Sequence, residues 1–482
     1  MSKSLHRWCL PWSSKGMPPR TLCCLAALRL VLLRGAFVMA SPTIWSSTDA
    51  HLHHKYEGVQ GHFLMEAGGA SHLVDDAEIA EALASRKLVA ADCNSSISKD
   101  VMLGHLASGI DLGAQFLIRS QRAEGNFRYE YDWRTKSESD DDNSVRQAGT
   151  LWGLSLLHLD GIAVPTDSAN QTAELLLPAV QKGLRYFLRH SSVKSDGRRV
   201  VVYPGQAKQK LGAVALLALT HIEVLRRPEK LNDTEIAELK GHLDGYLKTI
   251  LAAATKKHTF HGFYDKDGKP FGPSSPYYDG EALLALIKAA KYLDRDDLWP
   301  EIKEFAKGGY RKNVRPGLTW KIKNGDVEQA LRRLQGYYQW GTMSWYELLS
   351  SGGNRYAKYA KYAKRSLKYV DWLNQKLGHR AYKGYAFEGV LPAFVIAVVK
   401  KDLVHQRALA CKIRAGITAL LGMQVSHALA KGLARKAPRN DERAVGGCQG
   451  SQVSSALRID NTQHQLHAML MARRLLEQQV LI

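Results

Sequence analysis

Two aspartates of the chain stand where a general base could work. Asp142 ends a run of three aspartates, Asp140 to Asp142, directly before a long apolar stretch, and Asp460 precedes another such stretch. The positive end of a helix dipole favours the ionised form of a carboxyl at this position, which suits a base. An aspartate at a helix start is also a common N-cap, so both residues have a purely structural alternative. Asp140 and Asp141 are interpreted as charges at the edge of the candidate site, without a catalytic role.

Two glutamates stand where a general acid could work, because an acid needs partial exclusion of water to keep its proton near neutral pH. Glu281 follows two tyrosines in the stretch YYDGE, and Glu388 follows a tyrosine and a phenylalanine in YAFEG. Two carboxyls with opposed pKa values are what glycoside hydrolysis generally uses. The structural alternative is a hydrogen bond from either glutamate to a neighbouring helix end.

Two arginines and one histidine lie close to the aspartates in sequence. Arg146 follows Asp142, and Arg458 precedes Asp460. A guanidinium binds a carboxylate through two parallel hydrogen bonds, so these arginines are candidates to hold an acidic substrate or to pair with the aspartates themselves. His464 follows Asp460 by one helical turn and is a candidate proton relay, while a core histidine is the alternative.

Aromatic residues gather in the same stretches as the carboxylates. Flat aromatic faces with a few placed polar groups are what a sugar-binding cleft needs. The candidate substrate-binding aromatics are Tyr129, Trp133, Tyr278, Trp340 and Phe387.

A repeated pattern of helices is expected to position these residues. An amphipathic helix leads into a Gly-containing stretch with alternating aromatics, and then into a second helix that is apolar on most sides. The first copy is LGHLASGIDLGAQFLIRSQ (103–121), EGNFRYEYD (124–132) and NSVRQAGTLWGLSLL (143–157). Six copies can be traced, with second helices that start near residues 142, 206, 279, 338, 388 and 460. Such units need neighbours to bury their faces.

The two helix types predict an all-α fold, an (α/α)6 toroid of six helical hairpins with inner and outer helix rings. Helices such as EALLALIKAAKYL are apolar almost all round and should form the inner ring, whereas helices such as QKGLRYFLRH carry a charged face and should lie outside. An open superhelix of the same hairpins is the alternative. Because every aromatic loop directly precedes an inner helix, all six inner-helix N-termini should meet at one end of the toroid, the mouth.

The hairpins and the composition of the mouth resemble the six-hairpin glycosidase superfamily over about residues 103–478. That superfamily includes glucoamylases, unsaturated glucuronyl hydrolases and glucuronyl epimerases, which place their sites at this mouth. The resemblance implies a carbohydrate-active protein, with hydrolysis of a glycan or uronic-acid-containing saccharide preferred over epimerisation or lyase chemistry. A non-catalytic toroid that binds a glycan or a protein is the alternative. No cofactor is expected, and the oligomeric state stays open.

The chain is expected to divide into three segments. Residues 1–40 hold six basic residues and no acidic one around an apolar stretch, which is typical of a signal peptide, with an organelle transit peptide as the alternative. Residues 41–102 are predicted to be an irregular lead-in, and residues 103–482 are predicted to form the toroid domain.

The predicted route is the secretory pathway or the extracellular space, with an organelle lumen as the alternative. N-x-[ST] sequons at Asn94, Asn170 and Asn232 suit a secreted glycoprotein. After the leader, no segment is long and apolar enough to predict an integral membrane span.

The charge of the chain favours an anionic partner. The formal net charge is +21, and it stays at +15 without the leader. Nucleic-acid binding would rest on this charge alone and is not predicted. The predicted partner is a saccharide, and the positive charge favours an acidic one. ESDDD (138–142) loosely resembles the acidic motif of terpene cyclases, a less favoured class. HLHH (51–54) and Cys448 lack the matching ligands of a zinc site, so no metal is predicted.

Overall fold

A computed structural model describes residues 97–160, 167–319, 327–350, 367–368 and 383–478 of the chain. The predicted leader, the lead-in up to residue 96 and the HLHH motif lie outside these residues. Residues 351–382, where the fifth copy of the repeated pattern predicts an outer helix, also lie outside them, apart from Leu367 and Lys368.

Helices dominate the described residues, and short strands lie in the loops between them. The helices are α1 (Lys99–Ser120), α2 (Ser144–Asp160), α3 (Asp167–Arg189), α4 (Leu211–Leu225), α5 (Asp233–Ala252), α6 (Pro276–Tyr292), α7 (Trp299–Gly309), α8 (Arg315–Thr319), α9 (Val327–Ser350), α10 (Gly384–Val399), α11 (Leu403–Leu421), α12 (Gly432–Lys436) and α13 (Ile459–Glu477). The strands are β1 (Glu130–Asp132), β2 (Ser137–Glu138), β3 (Ser191–Val193), β4 (Arg199–Val201), β5 (Gln209–Lys210), β6 (Phe263–Tyr264), β7 (Pro270–Phe271) and β8 (Ala456–Arg458).

Six helices form a closed inner ring: α2, α4, α6, α9, α10 and α13. Each packs against the next along the chain, and α13 packs back against α2. Helices α4 and α10 are buried along almost their whole length, as their apolar composition predicts. The closed ring confirms the (α/α)6 toroid and excludes the open superhelix.

The outer helices cover the ring. Each of α3, α5, α7 and α11 packs mainly against the inner helix that precedes it in the chain, and α1 packs against α13. Helix α1 is long and apolar enough to cross a membrane by length and composition. Its apolar residues Leu106, Ile110 and Leu117 are fully buried within the fold, so packing accounts for that composition.

All six inner helices start at the same end of the toroid, as predicted. Strands β1 and β8, which precede α2 and α13, pair antiparallel, and so do β5 and β6, which precede α4 and α6. A Cβ atom added to Gly212 in the first turn of α4 would lie 2.5 Å from the ring of Tyr278 in the first turn of α6. A Cβ atom added to Gly384 at the start of α10 would likewise clash with the backbone of Gln465 on α13.

Helix α9 starts at Val327, about eleven residues before the predicted start near residue 338. Gly336 precedes the predicted start by two residues, but it lies inside the helix. A Cβ there would lie 2.9 Å from Tyr277 and 3.0 Å from Pro276, so this glycine allows α9 to approach the start of α6. The first turns of α9 therefore extend beyond the level at which α6 begins.

Candidate active site at the mouth

Asp142 lies exposed at the mouth and does not cap the helix that follows it. Asn143 is the cap: its Oδ1 accepts hydrogen bonds from the backbone N–H groups two and three residues later, at 3.1 and 3.4 Å. The carboxylate of Asp142 instead accepts hydrogen bonds from the Tyr203 hydroxyl at 2.6 Å and from Gln147 Nε2 at 2.8 Å. Burial and the neighbouring Asp142 raise the pKa of Tyr203 well above its ordinary range, so Tyr203 remains a donor.

Asp460 is held by both candidate arginines at the junction of the first and last inner helices. Arg146 Nε lies 3.0 Å from its Oδ2, and Arg458 reaches both oxygens, at 2.5 and 3.1 Å. Arg146 also donates a hydrogen bond to the hydroxyl of Tyr129. The structure thus shows these arginines paired with an aspartate of the protein, the alternative that the sequence left open.

Glu281 is buried, with 3% of its surface exposed. It lies in the first turns of α6 beside Tyr278 and Gly212. Its Oε2 atom is enclosed and makes no hydrogen bond to the described residues. Desolvation raises the pKa of Glu281 from 4.5 to about 8. Glu281 therefore carries its proton at neutral pH.

Glu388 is fully buried and bound on both oxygens. His464 Nδ1 lies 2.7 Å from Oε2, and His467 Nδ1 lies 2.8 Å from Oε1. Gln463 Nε2 donates to Oε1 at 3.4 Å, and Gln339 Nε2 donates to Oε2. Burial by itself raises the pKa of Glu388, but the histidines outweigh burial and the net pKa is lowered.

The ionised state of Glu388 corrects the expectation that neighbouring aromatics would keep it protonated. Its partners come from α9 and α13, so their approach could not be read from the stretch YAFEG. Glu388 in turn raises the pKa of His464 against the opposing effect of burial. The His464 side chain keeps 18% of its surface exposed, so it is the accessible member of this group.

Tyr385 lies in the first turn of α10, within reach of the charges of both glutamates. Burial raises its pKa well above the ordinary value, and the charges of both Glu281 and Glu388 add to the increase. Its ring meets that of His464 edge-on, with centroids 5.2 Å apart, and its hydroxyl donates to the carbonyl of Gly336 at 3.2 Å. Tyr385 therefore packs against the histidine that binds Glu388.

The candidate aromatics divide between the mouth and the interior. Tyr278 is partly exposed at the mouth, and Tyr129 is nearly buried against Arg146, with which it makes a cation–π contact. Trp133 is almost buried after β1. The neighbouring Tyr277, which was not among the candidates, is 43% exposed.

Trp340 and Phe387 are not placed to bind a substrate at the mouth. Trp340 lies deep in the ring, with its indole 5.5 Å from that of Trp152. Phe387 is fully buried and points outward against Gly416 of the outer helix α11. Both misplacements follow from the helix register, because α9 and α10 start earlier than the sequence suggested.

Sequence reasoning missed His467, Gln339 and Gln463. His464 and His467 are three residues apart and therefore lie on one face of α13, a spacing that points to a shared partner. No comparable signal marked Gln339, because its contact with Glu388 depends on the packing of α9 against α10. Within the described residues, no group of three or more His, Cys, Asp or Glu side chains could hold a metal ion.

No protein-family model and no curated protein matches this chain. Solved structures do match it. Cellobiose 2-epimerase from Bacillus thermoamylovorans aligns with 78% of this chain and 99% of its own, at 9% identity and a TM-score of 0.53. A D-mannose isomerase aligns with 78% of this chain and 98% of its own, at 12% identity and a TM-score of 0.52.

An unsaturated glucuronyl hydrolase specific for heparin is also similar, at 10% identity and a TM-score of 0.47, over 77% of this chain and 97% of that one. The chain has the six-hairpin glycosidase-like fold, an (α/α)6 toroid. At these identities, the likeness concerns the fold.

Proposed function

We propose that this chain is a carbohydrate-active enzyme that processes a saccharide at the mouth, with glycoside hydrolysis as the preferred reaction. The observation that carries the proposal is the pair of buried carboxyls in the first turns of α6 and α10, of which Glu281 has a raised pKa and Glu388 a lowered one. Pairs of titratable groups whose surroundings move their pKa values apart are typical of acid–base sites. The toroid shared with sugar-processing enzymes supports the same function by analogy of fold.

In hydrolysis, Glu281 would donate its proton to the oxygen of the leaving sugar. The ionised partner must reach the sugar ring or a water molecule beside it. Four side chains already bind the two oxygens of Glu388, so Asp142 is the better candidate, since it is exposed and fixed by Tyr203 and Gln147. Asp460 is less suited, because two arginines already neutralise it.

Epimerisation is the second candidate, and the Glu388–His464 contact favours it. A carboxylate that holds Nδ1 of an imidazole fixes the ring and makes its other nitrogen a stronger base. His464 is accessible and has a raised pKa, and Glu281, whose raised pKa keeps it protonated, is the candidate acid. A base facing an acid across a bound sugar is the arrangement that proton removal and return require.

The basic charge of the chain supports an acidic saccharide as substrate.

The leader and the sequons support a secretory route. Among the sequons, Asn170 and Asn232 lie on the exposed surface. Mass spectrometry of the native protein tests this route: we expect a mature N-terminus after residue 40 and an N-glycan at Asn170. An intact Met1 with unmodified Asn170 would overturn it.

The test is turnover of uronic-acid oligosaccharides and neutral glucans in D2O, followed by NMR. New reducing ends report hydrolysis, and deuterium incorporated at a sugar carbon reports epimerisation. The variants are Asp142→Asn, Glu281→Gln, Glu388→Gln and Asp460→Asn. Asp233→Asn is the control, because Asp233 is exposed in the first turn of outer helix α5.

We expect Glu281→Gln to lose at least about a hundredfold in rate with the fold intact, since proton donation is lost while shape is kept. Under hydrolysis, Asp142→Asn should be the second inactive variant, and under epimerisation, Glu388→Gln should be. An active wild type with all four variants near full rate would refute the proposed site. Retention of glycans on an array without any turnover would support the non-catalytic binding toroid instead.

A further inference from the structure

A basic surface lies at the mouth end of helices α6 and α7. Two segments form it, the loop 254–262 after α5 and the π-helical turn Tyr310–Val314 after α7. Neither segment contains an acidic residue. The four lysines and arginines of the two segments, which we call the basic rim, are Lys256, Lys257, Arg311 and Lys312.

A buried aspartate fixes both segments of the basic rim to the start of α6. Asp279, in the first turn of α6, accepts a hydrogen bond from the backbone N–H of Phe260 in the loop at 3.0 Å. It accepts another from Asn313 Nδ2 in the π-helical turn at 2.9 Å. Gly308 near the end of α7 also touches the loop, since a Cβ atom there would overlap the carbonyl oxygen of His258. The loop and the turn therefore form one continuous surface.

The basic rim adjoins an exposed aromatic residue of the mouth. Arg333 on α9 donates hydrogen bonds to Asn313 Oδ1 at 2.6 Å and to Ser274 Oγ at 3.0 Å. It thereby joins the π-helical turn to the segment that leads into α6. Tyr277 follows Ser274 by three residues and is 43% exposed. The rim therefore lies beside the part of the mouth at which Tyr277 is open to solvent.

The cations of the basic rim lack carboxylate partners. Among the described residues, none of the four makes a salt bridge, whereas the neighbouring Lys307 pairs with Glu304 at 3.4 Å. Burial lowers the pKa of Lys312, Asp279 opposes this effect, and the charges of Arg333 and Lys257 add to the decrease. The surroundings of Lys312 thus disfavour its positive charge, and an anion beside it would be stabilised.

We propose that the basic rim binds the anionic groups of a polyanionic saccharide chain whose end occupies the mouth. The inference rests on the proposed function, because the mouth must first hold a sugar. Uronate or sulfate groups spaced along the chain would meet the rim one after another, whereas a short saccharide would fill the mouth alone. A nucleic acid carries the same sign of charge, but the continuity of the rim with the candidate sugar site favours a saccharide.

Calorimetric titration of the full-length chain with heparin oligosaccharides of two lengths tests the proposal. The disaccharide should occupy the mouth alone, and the octasaccharide is long enough to extend over the rim. Maltooctaose is the neutral probe of equal length, and a thymidylate dodecamer is the nucleic-acid probe. The titrations use the Glu281→Gln variant, so that turnover does not consume the probes, and turnover by the wild type is measured separately.

Two sets of substitutions in this background separate the rim from the overall charge. The rim variant combines Lys257→Gln, Arg311→Gln and Lys312→Gln. The matched control removes three exposed cations away from the mouth, Lys230→Gln, Lys240→Gln and Arg407→Gln. Lys257→Glu alone is a second rim variant, because this side chain is exposed on a loop and its replacement requires no repacking. Thermal melts verify the folding of every variant.

We expect the octasaccharide to bind at least about tenfold more tightly than the disaccharide, since several exposed ion pairs add together. The rim variant should reduce this ratio to about two, and Lys257→Glu should reduce it about threefold. The control should keep the full ratio, the disaccharide should bind all variants alike, and maltooctaose should gain nothing from the rim.

Equal affinity for the two heparin lengths, absence of heparin binding, or the same ratio in the rim variant and the control would overturn the proposal. The cations would then only balance the negative end of α7. Binding of the thymidylate strand as tightly as the octasaccharide, with the same loss in the rim variant, would overturn it in favour of a nucleic acid. Turnover by the wild type without a length effect would refute the rim alone. A rim-dependent length effect without any turnover would support the rim and refute the catalytic function.

Discussion

At the residue scale, the central feature is a carboxyl that keeps its proton. Glu281 is enclosed by Tyr278 and the backbone at Gly212, and desolvation is the cause of its raised pKa. The two tyrosines before it in sequence pointed to this environment. Its catalytic role stays a prediction that turnover must test.

The first prediction concerns the pH dependence of stability. The pKa of Glu281 is about 8 in the folded state, against 4.5 ordinarily, so the folded state holds a proton that the unfolded state loses. Stability should therefore fall as pH rises from about 4.5 to about 8, by up to a few kcal/mol. Glu281→Gln resembles the protonated form and should lack this loss.

Thermal melts at pH 5 and pH 9 provide the check. The melting temperature of Glu281→Gln relative to wild type should be higher at pH 9 than at pH 5. An equal difference at both pH values would show that Glu281 titrates normally.

The second prediction concerns the partner of Glu388. Removal of the carboxylate charge in Glu388→Gln should lower the pKa of His464, since Glu388 is what raises it. The loss of one member of a buried ionic contact should also cost about 3 kcal/mol of unfolding free energy. NMR titration of labelled histidines measures the pKa, with His190 on the outer side of the fold as an internal control. A His464 titration unaffected by the substitution would contradict the assigned contact.

The environment of Glu388 marks what the sequence could not predict at this scale. Its own neighbours, Tyr385 and Phe387, suggested an apolar setting, yet Phe387 points outward and two histidines from α13 reach the carboxylate. Local sequence predicts neighbours along one helix. It does not predict which side chains arrive from another.

At the element scale, glycines set how closely inner helices approach. Gly280 on α6 lies against the Cβ atom of Trp340 on α9, with no room for a methyl group. Gly336 on α9 likewise allows close contact with the start of α6, and its position inside a helix hid the true start of α9 from sequence reasoning.

The third prediction compares two helical glycines. Gly280→Ala should destabilise the protein by about 2 kcal/mol, because α6 and α9 must move apart. Gly241→Ala, on the exposed face of α5 where a Cβ would meet nothing within 4 Å, should stabilise it by about 0.5–1 kcal/mol. Urea unfolding of both variants measures these effects. Similar changes in unfolding free energy for the two variants would mean that helix propensity alone determines them. The close contact between α6 and α9 would then be absent.

At the scale of the whole molecule, the toroid could be predicted because its signal is repeated. Six copies of one pattern, with apolar and amphipathic helices in alternation, predicted two rings and a common mouth even where single helix starts were misplaced. The pairing of outer helices with the preceding inner helices could not be predicted, since nothing in one helix identifies its partner.

The fourth prediction follows from ring closure. A chain that ends at residue 450 lacks β8 and α13, the elements that pair with β1 and pack against α2. It should lose cooperative unfolding, because both α10 and α2 would expose buried faces. Urea denaturation followed by circular dichroism tests this. Cooperative unfolding with an m-value reduced by about a sixth would instead indicate an open repeat array.

The most direct test of the central claim is a crystal structure of Glu281→Gln with a saccharide that the wild type turns over. The substitution should block proton transfer and trap the substrate. The predicted result is a sugar ring at the mouth, within hydrogen-bond distance of position 281 and in contact with Tyr278 or Tyr277. A saccharide bound elsewhere on the toroid, with the mouth empty, would contradict the claim.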